Sequence, residues 1–403
     1  MKSCSPTVAI TTTYKLANVN ITNYANNLLY KYTILPNNST VIELDAQLVV
    51  PSEGVTNRTI GIQSDQDIAI SVHQCKLNYL ALPRKSLTKE YIVLTQVTTI
   101  TSREKSNFMI IASHEATEVH IQLPSSSKQH SSKTRELTIQ IPLLQGFYME
   151  SAESLTGTTI SSQHPIALFS GNRLVDVKAQ SKRNSYHIAM QMPGIQFWGQ
   201  TYLLPSVQAN TGLDRFKVIA AHDDTTVFIK LNPHPSSLSR GSTIDIDTIY
   251  DSSTLLTCDK PCLVVYTGKL DIETMTIMNS VMIIIPSFGQ YLQNYAFTAI
   301  SRPTSNDHYY FNTGLRQGHY RKLLINGKIV TMNNTGITFP MTLYKAVWHK
   351  VSVGFHCIQV VPIKEPFGLF VFYTNDEHGH DFLQGYLAGI RLYPILNVAY
   401  DRK

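Results

Sequence analysis

The sequence predicts an all-β chain of four internal repeats of about 100 residues each. The architecture it points to is one closed β-propeller-like domain with two blades per repeat; the alternative is a row of four tandem β-sandwiches. Three observations predict this: a strand-forming composition, one apolar strand element that returns four times, and the lack of any amphipathic helix longer than two turns. Hydrophobic residues make up 43% of the 403 residues and charged residues only 15%, against about 25% in an average soluble domain. Thr, Ser, Ile, Val and Tyr take up the difference. β-Branched and aromatic side chains fit a pleated, half-buried surface, so this is strand composition.

The recurring element is a polar turn followed by an apolar strand. It reads Gln63-Ser-Asp-Gln-Asp-Ile-Ala-Ile-Ser-Val72, Ser161-Ser-Gln-His-Pro-Ile-Ala-Leu-Phe-Ser-Gly171 and Thr257-Cys-Asp-Lys-Pro-Cys-Leu-Val-Val-Tyr-Thr-Gly268, with a looser copy from Ile363 to Tyr373. Asp67, Pro165, Pro261 and Pro366 open the apolar runs, roughly 100 residues apart. Proline suits that place because the first residue of a strand can spare its N–H. Other elements keep the same order. A strand ending in proline comes at Tyr79–Pro83, Ala189–Pro193 and Ile283–Pro286, then a tyrosine-centred strand at Tyr91, Tyr202 and Tyr291. Two hairpins are expected next, Phe108–Ala112 with Thr117–Ile121 and Phe216–Ala220 with Thr225–Ile229, joined by the polar turns Ser113–Ala116 and Ala221–Asp224. The repeats fall at about 14–83, 84–193, 194–286 and 287–395, within one domain spanning 1–403. Their joints, Pro193–Gly199 and Pro286–Gly289, are short and aromatic. That favours closure over strings of independent domains, which flexible linkers normally separate.

Charge and hydropathy exclude several classes. The net charge of +6 is diluted over 403 residues with no Lys/Arg block longer than two, which argues against a nucleic-acid partner. No apolar run approaches the roughly 20 residues of a membrane span. Five cysteines, Cys4, Cys75, Cys258, Cys262 and Cys357, are too few and too odd for a disulfide framework. Sequons at Asn20, Asn37, Asn38, Asn57 and Asn333 lean toward a secreted glycoprotein. The first ten residues carry a charged start but no apolar h-region, which taken literally favours a cytoplasmic protein or else a sequence missing its first exon.

Five elements in order carry a family resemblance: Thr156–Ile160, Pro165–Asn172, Gln191–Pro193, Trp198–Tyr202, and Phe216–Ala220 leading to Asp223–Ile229. Together with Asn18–Asn23 and Ser64–Ala69, they resemble the N-terminal domain of the IgG Fc-binding protein family, from about Tyr14 to about Tyr393. The resemblance implies a non-enzymatic module of secreted, often multidomain mucus and matrix proteins, one in which no catalytic residues are known. IgG binding belongs to the mammalian member and is not carried over. Relatives often hold a cysteine pair in the loop after Asn172; here Arg173–Tyr186 has none and is basic, a surface loop with Arg173, Lys178, Lys182 and Arg183 against Asp176.

Candidate chemistry is sparse. Asp376-Glu-His-Gly-His-Asp381 is the most metal-like segment, with His378, His380 and Asp381 as candidates, but two histidines in one loop fall short of a full ligand set. No metal and no cofactor are expected. Cys258-Asp-Lys-Pro-Cys262 reads first as two partly buried free thiols, with a disulfide between Cys258 and Cys262 as the next reading and redox catalysis the remotest. His114-Glu115 and His222-Asp-Asp224 sit in matching turns, where turn chemistry accounts for them without catalysis. Trp198 and Trp348 lie beside strands and are expected to pack in a core or seam. The expected function is extracellular binding or adhesion, or mucus and matrix scaffolding, through surface loops that recognise a protein or glycan. The alternatives are a propeller-type hydrolase or lyase with an axial pocket, and an intracellular scaffold.

Overall fold

The computed structural model describes residues 6–50, 52–74, 77–96, 104–124, 135–179, 182–206, 212–230, 232, 234–248, 254–270, 277–300, 307–316, 323–330, 336–338, 342, 344–361, 366–375 and 382–392. Among these the only helical pieces are single 3-10 turns at Ala46–Leu48, Arg84–Ser86, Ile195–Phe197 and Phe288–Gln290. Everything else regular is β-strand, as the composition requires.

The strands fall into four groups along the chain. The first holds β1 (Thr7–Thr12), β2 (Ala17–Asn23), β3 (Leu28–Ile34), β4 (Asn38–Glu43), β5 (Gly54–Thr56), β6 (Ile60–Ser64), β7 (Ile68–Gln74) and β8 (Leu77–Leu80). The second holds β9 (Thr88–Ile92), β10 (Lys105–Ala112), β11 (Thr117–Gln122), β12 (Glu136–Ile141), β13 (Gly146–Ser151), β14 (Thr159–Ala179) and β15 (Lys182–Met192). The third holds β16 (Gly199–Leu204), β17 (Leu213–Ala220), β18 (Thr225–Ile229), β19 (Ser236–Leu238), β20 (Thr243–Thr248), β21 (Thr254–Leu270) and β22 (Ile277–Ile285). The fourth holds β23 (Asn294–Ala299), β24 (Asp307–Arg316), β25 (Leu323–Ile325), β26 (Lys328–Val330), β27 (Gly336–Thr338), β28 (Tyr344–Val351), β29 (Gly354–Val360), β30 (Leu369–Asn375) and β31 (Phe382–Leu387).

Within the second group β12-β11-β14-β9 forms one antiparallel layer and β13-β10-β14-β15 another. The third group has β19-β18-β21-β16 and β20-β17-β21-β22. In the fourth the layers are β26-β25-β29-β23 and β28-β24-β30-β31, with β27 added on β28; in the first they are β3-β2-β6 and β4-β1-β7-β8. β14 and β21 each take part in both layers, so the second group together with β5 forms one eight-stranded sheet and the third group one seven-stranded sheet, while the first and fourth groups hold two sheets each.

The recurring sequence element sits where the chain leaves one layer for the other. In β14 and β21 a single long strand serves both layers, and the register shifts beside Pro165 and Pro261. In the first and fourth groups the strand breaks there, between β6 and β7 around Asp67 and between β29 and β30 around Pro366. A residue without an N–H, or with a turn-forming side chain, suits a point where the ladder is interrupted. The two expected hairpins are corrected for the same reason. β10 and β11 do not pair with each other: β10 joins β14 from Ile166 onward and β11 joins it from Thr159 to Ser162. The turn between them is a corner from layer to layer, and β17 and β18 repeat it. Arg173–Tyr186, expected as a loop, is largely the paired end of β14 and β15, from Val175↔Tyr186 to Ala179↔Lys182.

Alternation supplies the cores. Ser106, Phe108, Ile110 and Ala112 of β10 point inward, as do Thr117, Val119 and Ile121 of β11. The second and third groups share one continuous core that takes in Phe370, Phe372 and Leu387, while the first and fourth also have cores of their own. Contacts pass from group to group and return to the first. The Leu82 N–H donates to Gln191 Oε1 (2.8 Å), Gln96 Nε2 to the Thr267 carbonyl (3.1 Å) and Gln290 Nε2 to the Phe197 carbonyl (2.8 Å). Tyr266 meets Phe372 edge-on, and the fourth group touches the first through Thr11 and Thr298 hydroxyls 2.7 Å apart and an edge-on His73–Tyr386 pair.

Candidate binding surface

Three tyrosines fix where the first strand of a group meets the layer-crossing strand. Tyr91 accepts from the Thr88 N–H (2.9 Å) and donates to the Ile166 carbonyl (2.7 Å). Tyr202 accepts from the Gly199 N–H (3.0 Å) and donates to the Cys262 carbonyl. Tyr295 accepts from the Leu292 N–H (3.1 Å) and donates to the Phe367 carbonyl. The acceptors directly follow Pro165, Pro261 and Pro366. Burial raises all three phenol pKa values, so the hydroxyls stay protonated donors. The expected third tyrosine was Tyr291; the residue in this role is Tyr295, four places on. Tyr291 instead caps the 288–290 turn and packs edge-on against Phe288.

These anchors place the walls of a cleft of about 650 Å³ between the second and third groups. Its apolar floor is Leu87, Pro165, Ile195, Trp198 and Pro261, and Lys89, Glu90, Gln196, Gln200 and His222 stand at its polar side. Lys89, Glu90, Gln196 and His222 are exposed. Close packing requires glycine at two points of the wall: a Cβ on Gly194 would lie 1.9 Å from Thr88 Oγ1, and one on Gly199 would lie 2.2 Å from Ser287 Oγ. Trp198 is only 2% exposed and its Nε1–H donates to the Pro193 carbonyl (3.1 Å), so it braces the floor from within.

The bend carrying Pro261 forms one rim. Gln200 Nε2 donates to the Asp259 carbonyl (2.7 Å), and Asp259 Oδ1 accepts from the Thr226 N–H (2.7 Å). That hydrogen bond holds the Asp259 carboxyl below its ordinary pKa. Lys260 Nζ donates to the Asp223 carbonyl (2.6 Å). Beneath them the bend brings the sulfurs of Cys258 and Cys262 into bonding contact, with Cα atoms 6.6 Å apart. His222 and Asp223 thus belong to the rim of one cleft. His114 sits in the matching turn of the second group, where burial, then the Arg84 charge, lowers its pKa, and Glu115 lies 3.6 Å from His164.

The centre, where an axial pocket was the alternative, is packed. β8, β15, β22 and β31 meet around a void of about 20 Å³, lined by Tyr79, Leu80, Met190, Gln191, Ile283 and Tyr386 among others. That is room for about one water. Among the described residues tyrosines are the only ionisable groups lining it. Among the described residues no three His, Cys, Asp or Glu side chains gather as metal ligands, and no helix is long and apolar enough to cross a membrane. His378, His380, Asp381 and Asn333 lie outside the described residues, as does the side chain of Trp348. The other sequon asparagines, Asn20, Asn37, Asn38 and Asn57, are all exposed and all in the first group. Sequence reasoning missed the cleft because its parts are scattered from Leu87 to Pro261; the repeated proline and tyrosine were the signals that mark its walls.

The model of the family described as IgGFc binding protein matches residues 77–373. The human protein named IgGFc-binding protein is 24% identical over 212 residues, 51% of this chain and 4% of that protein. The chain therefore spans a small part of that relative's length. No solved structure matches the chain.

Proposed function

Because the chain belongs to the IgGFc binding protein family, whose model covers residues 77–373, we propose that it is a non-enzymatic binding module of extracellular adhesion or mucus-type scaffolds. Its four strand groups are equivalent units closed into one ring, and its ligand is a protein held in the cleft between the second and third units. Family membership is the observation that carries this reading. The cleft supports it physically: an apolar floor under a charged and amide-bearing rim is the anatomy of a protein-recognition patch. Among the described residues the ionisable groups lining it are Lys89, Glu90 and His222, which fits recognition better than a catalytic constellation. Exposed sequon asparagines and a Cys258–Cys262 disulfide fit the outside of the cell.

The human relative is named for IgG Fc, so Fc is the first ligand to test. Immobilised Fc should retain the chain, and the triple variant Lys89→Ala/Gln196→Ala/His222→Ala should bind about ten-fold more weakly or worse, at roughly 0.5–1 kcal/mol per truncated rim contact. All three positions are exposed, so the fold should survive. No retention of the intact chain would reject Fc as the ligand; undiminished binding by the variant would reject the cleft.

A further inference from the structure

We propose that the outer face of the layer β12-β11-β14-β9 is a second binding site, one that takes a neutral oligosaccharide. The site is a trough of about 380 Å³, within the roughly 300–1,000 Å³ of small-molecule sites. The proposal goes beyond the protein-binding reading and does not depend on it.

Alternation and register lay the trough out. Val119 and Ile121 turn inward, so His120 and Gln122 turn outward, and both are exposed. Across the strands His120 faces Thr138 on one side and Ser161 on the other, and Ser161 faces Glu90. Two residues along, Gln122 faces Glu136 and Thr159. Neighbouring strands lie about 4.8 Å apart and the two rows about 7 Å apart. The side chains of both rows therefore stand on one open grid, and all of them line the trough.

The neighbouring unit and the layer itself hold this grid in place. Arg240 of the third unit completes the lining. Its N–H donates to Asp223 Oδ1 (2.9 Å), and beside it two backbones meet: a Cβ on Gly157 would lie 3.0 Å from the Gly241 carbonyl oxygen. His120 Nδ1 lies 3.0 Å from Thr138 Oγ1 and its Nε2 3.3 Å from Glu118 Oε1. Glu118 also accepts from the side chains of Gln140 (3.0 Å) and Gln163 (3.4 Å). A lining already ordered by such contacts loses less freedom when a ligand arrives.

The chemistry of the lining names the ligand. The carboxylates of Glu90 and Glu136 only accept hydrogen bonds, the Arg240 guanidinium only donates, and the Gln122 amide and the Ser161 and Thr159 hydroxyls do both. A sugar ring carries hydroxyls that donate and accept all round it, and it matches so mixed a set. The centre of a protein-recognition patch is instead depleted of charge and enriched in aromatic residues. Two carboxylates stand against one guanidinium, so the charge of the trough opposes sialylated or sulfated sugars and leaves neutral ones.

The ladder does not impose this surface. Ile229 faces Leu256 as Ile121 faces Ile160, so the third unit has Phe228 where the second has His120, and Phe228 is 46% exposed. Ile325 faces Ile358 in the same way, which puts Leu324 at that position in the fourth unit. Thr201, which faces Thr257, stands in the place of Glu90. The trough meets the cleft at Glu90, which lines both.

An array of neutral, sialylated and sulfated oligosaccharides tests this on the full chain, followed by calorimetric titration with the neutral glycan that it retains best. Neutral glycans should be retained. Gln122→Ala/Glu136→Gln, at two exposed positions outside the cleft, should weaken the titrated affinity about ten-fold or more, since two hydrogen-bonding groups are lost. His120→Leu gives the second unit the side chain that the fourth carries there, so the ladder tolerates it, and it should weaken binding as well. Glu43→Gln, exposed on the first unit, should leave the affinity unchanged. Failure of the array to retain any neutral glycan, or unchanged affinity in both trough variants, would overturn the proposal. Retention of sialylated or sulfated glycans alone would overturn it too, as would binding of an oligolysine peptide in place of sugar that Gln122→Ala/Glu136→Gln abolishes. Fc takes no part in these titrations, so their failure leaves the protein-binding reading standing.

Discussion

Tyr202→Phe removes one oxygen and keeps the buried ring. That oxygen bridges the Gly199 N–H and the Cys262 carbonyl, in a place where Tyr202 and Cys262 are both 0% exposed. Two net hydrogen bonds of about 1 kcal/mol each are lost, and two buried backbone groups are left without this partner, so about 2–3 kcal/mol of destabilisation is expected. The shift in melting temperature then reports how much of the chain unfolds together. At about 2.1 cal/mol/K per residue, 2.5 kcal/mol lowers Tm by about 3 °C if all residues melt as one, and by about 12 °C if a unit of about 100 residues melts alone. Differential scanning calorimetry of the variant beside wild type distinguishes these, with exposed Tyr30→Phe as the control expected within about 0.5 kcal/mol of wild type. A Tyr202→Phe chain that melts within 1 °C of wild type at unchanged enthalpy would refute the anchor (about 0.8 kcal/mol or less for a whole-chain transition).

Further outcomes are expected. Protein made in an oxidising compartment should show Cys258 and Cys262 linked in a non-reduced peptide map, and Cys258→Ser/Cys262→Ser should cost about 2 kcal/mol by the loop-closure relation for so short a loop; free thiols at both positions in that map would contradict the bridge. Expression through a eukaryotic secretory pathway should add glycan at Asn20, at Asn37 or Asn38, and at Asn57, read as a mass loss on enzymatic deglycosylation that Asn→Gln variants abolish. Burial pushes the Glu150 carboxyl up, but hydrogen bonds from Lys105 and Tyr148 and the Lys105 and Arg173 charges outweigh it, so its folded pKa lies below 4.5. A depressed carboxyl adds stability that is full above that unfolded value and lost as pH falls through the folded one. Urea titrations should accordingly show Glu150→Gln less stable than wild type at pH 7, with the gap closing below about pH 4.5; a constant gap would contradict it.

The strand class was legible because β-branched alternation needs no partner to be read: Phe108, Ile110 and Ala112 announce an inward face by spacing alone. So was the layer-crossing point, since Pro165 and Pro261 interrupt a ladder chemically. Pairing was not legible. β10 and β11 look like a hairpin because alternation gives the face of a strand and not its neighbour, and only the register on β14 reveals a corner. Tyr291 was chosen over Tyr295 because its flanking residues resemble those of Tyr202; the function of the residue depends on an N–H three places earlier and a carbonyl 72 residues later. The cleft was illegible for a related reason: its floor takes Leu87, Pro165, Trp198 and Pro261 from two turns and two strand bends, and each alone reads as ordinary packing.

Closure of four equivalent units into one ring is the central claim of the proposed reading. Its most direct test is scanning calorimetry of the intact chain, comparing calorimetric with van't Hoff enthalpy. The account predicts one transition in which the two agree, because the second and third groups share a core that takes in Phe370, Phe372 and Leu387 of the fourth, and the fourth packs on the first. Two or more resolved transitions, with a fragment of residues 1–306 melting within a few degrees of the parent, would contradict it and leave a row of independent β-sandwiches.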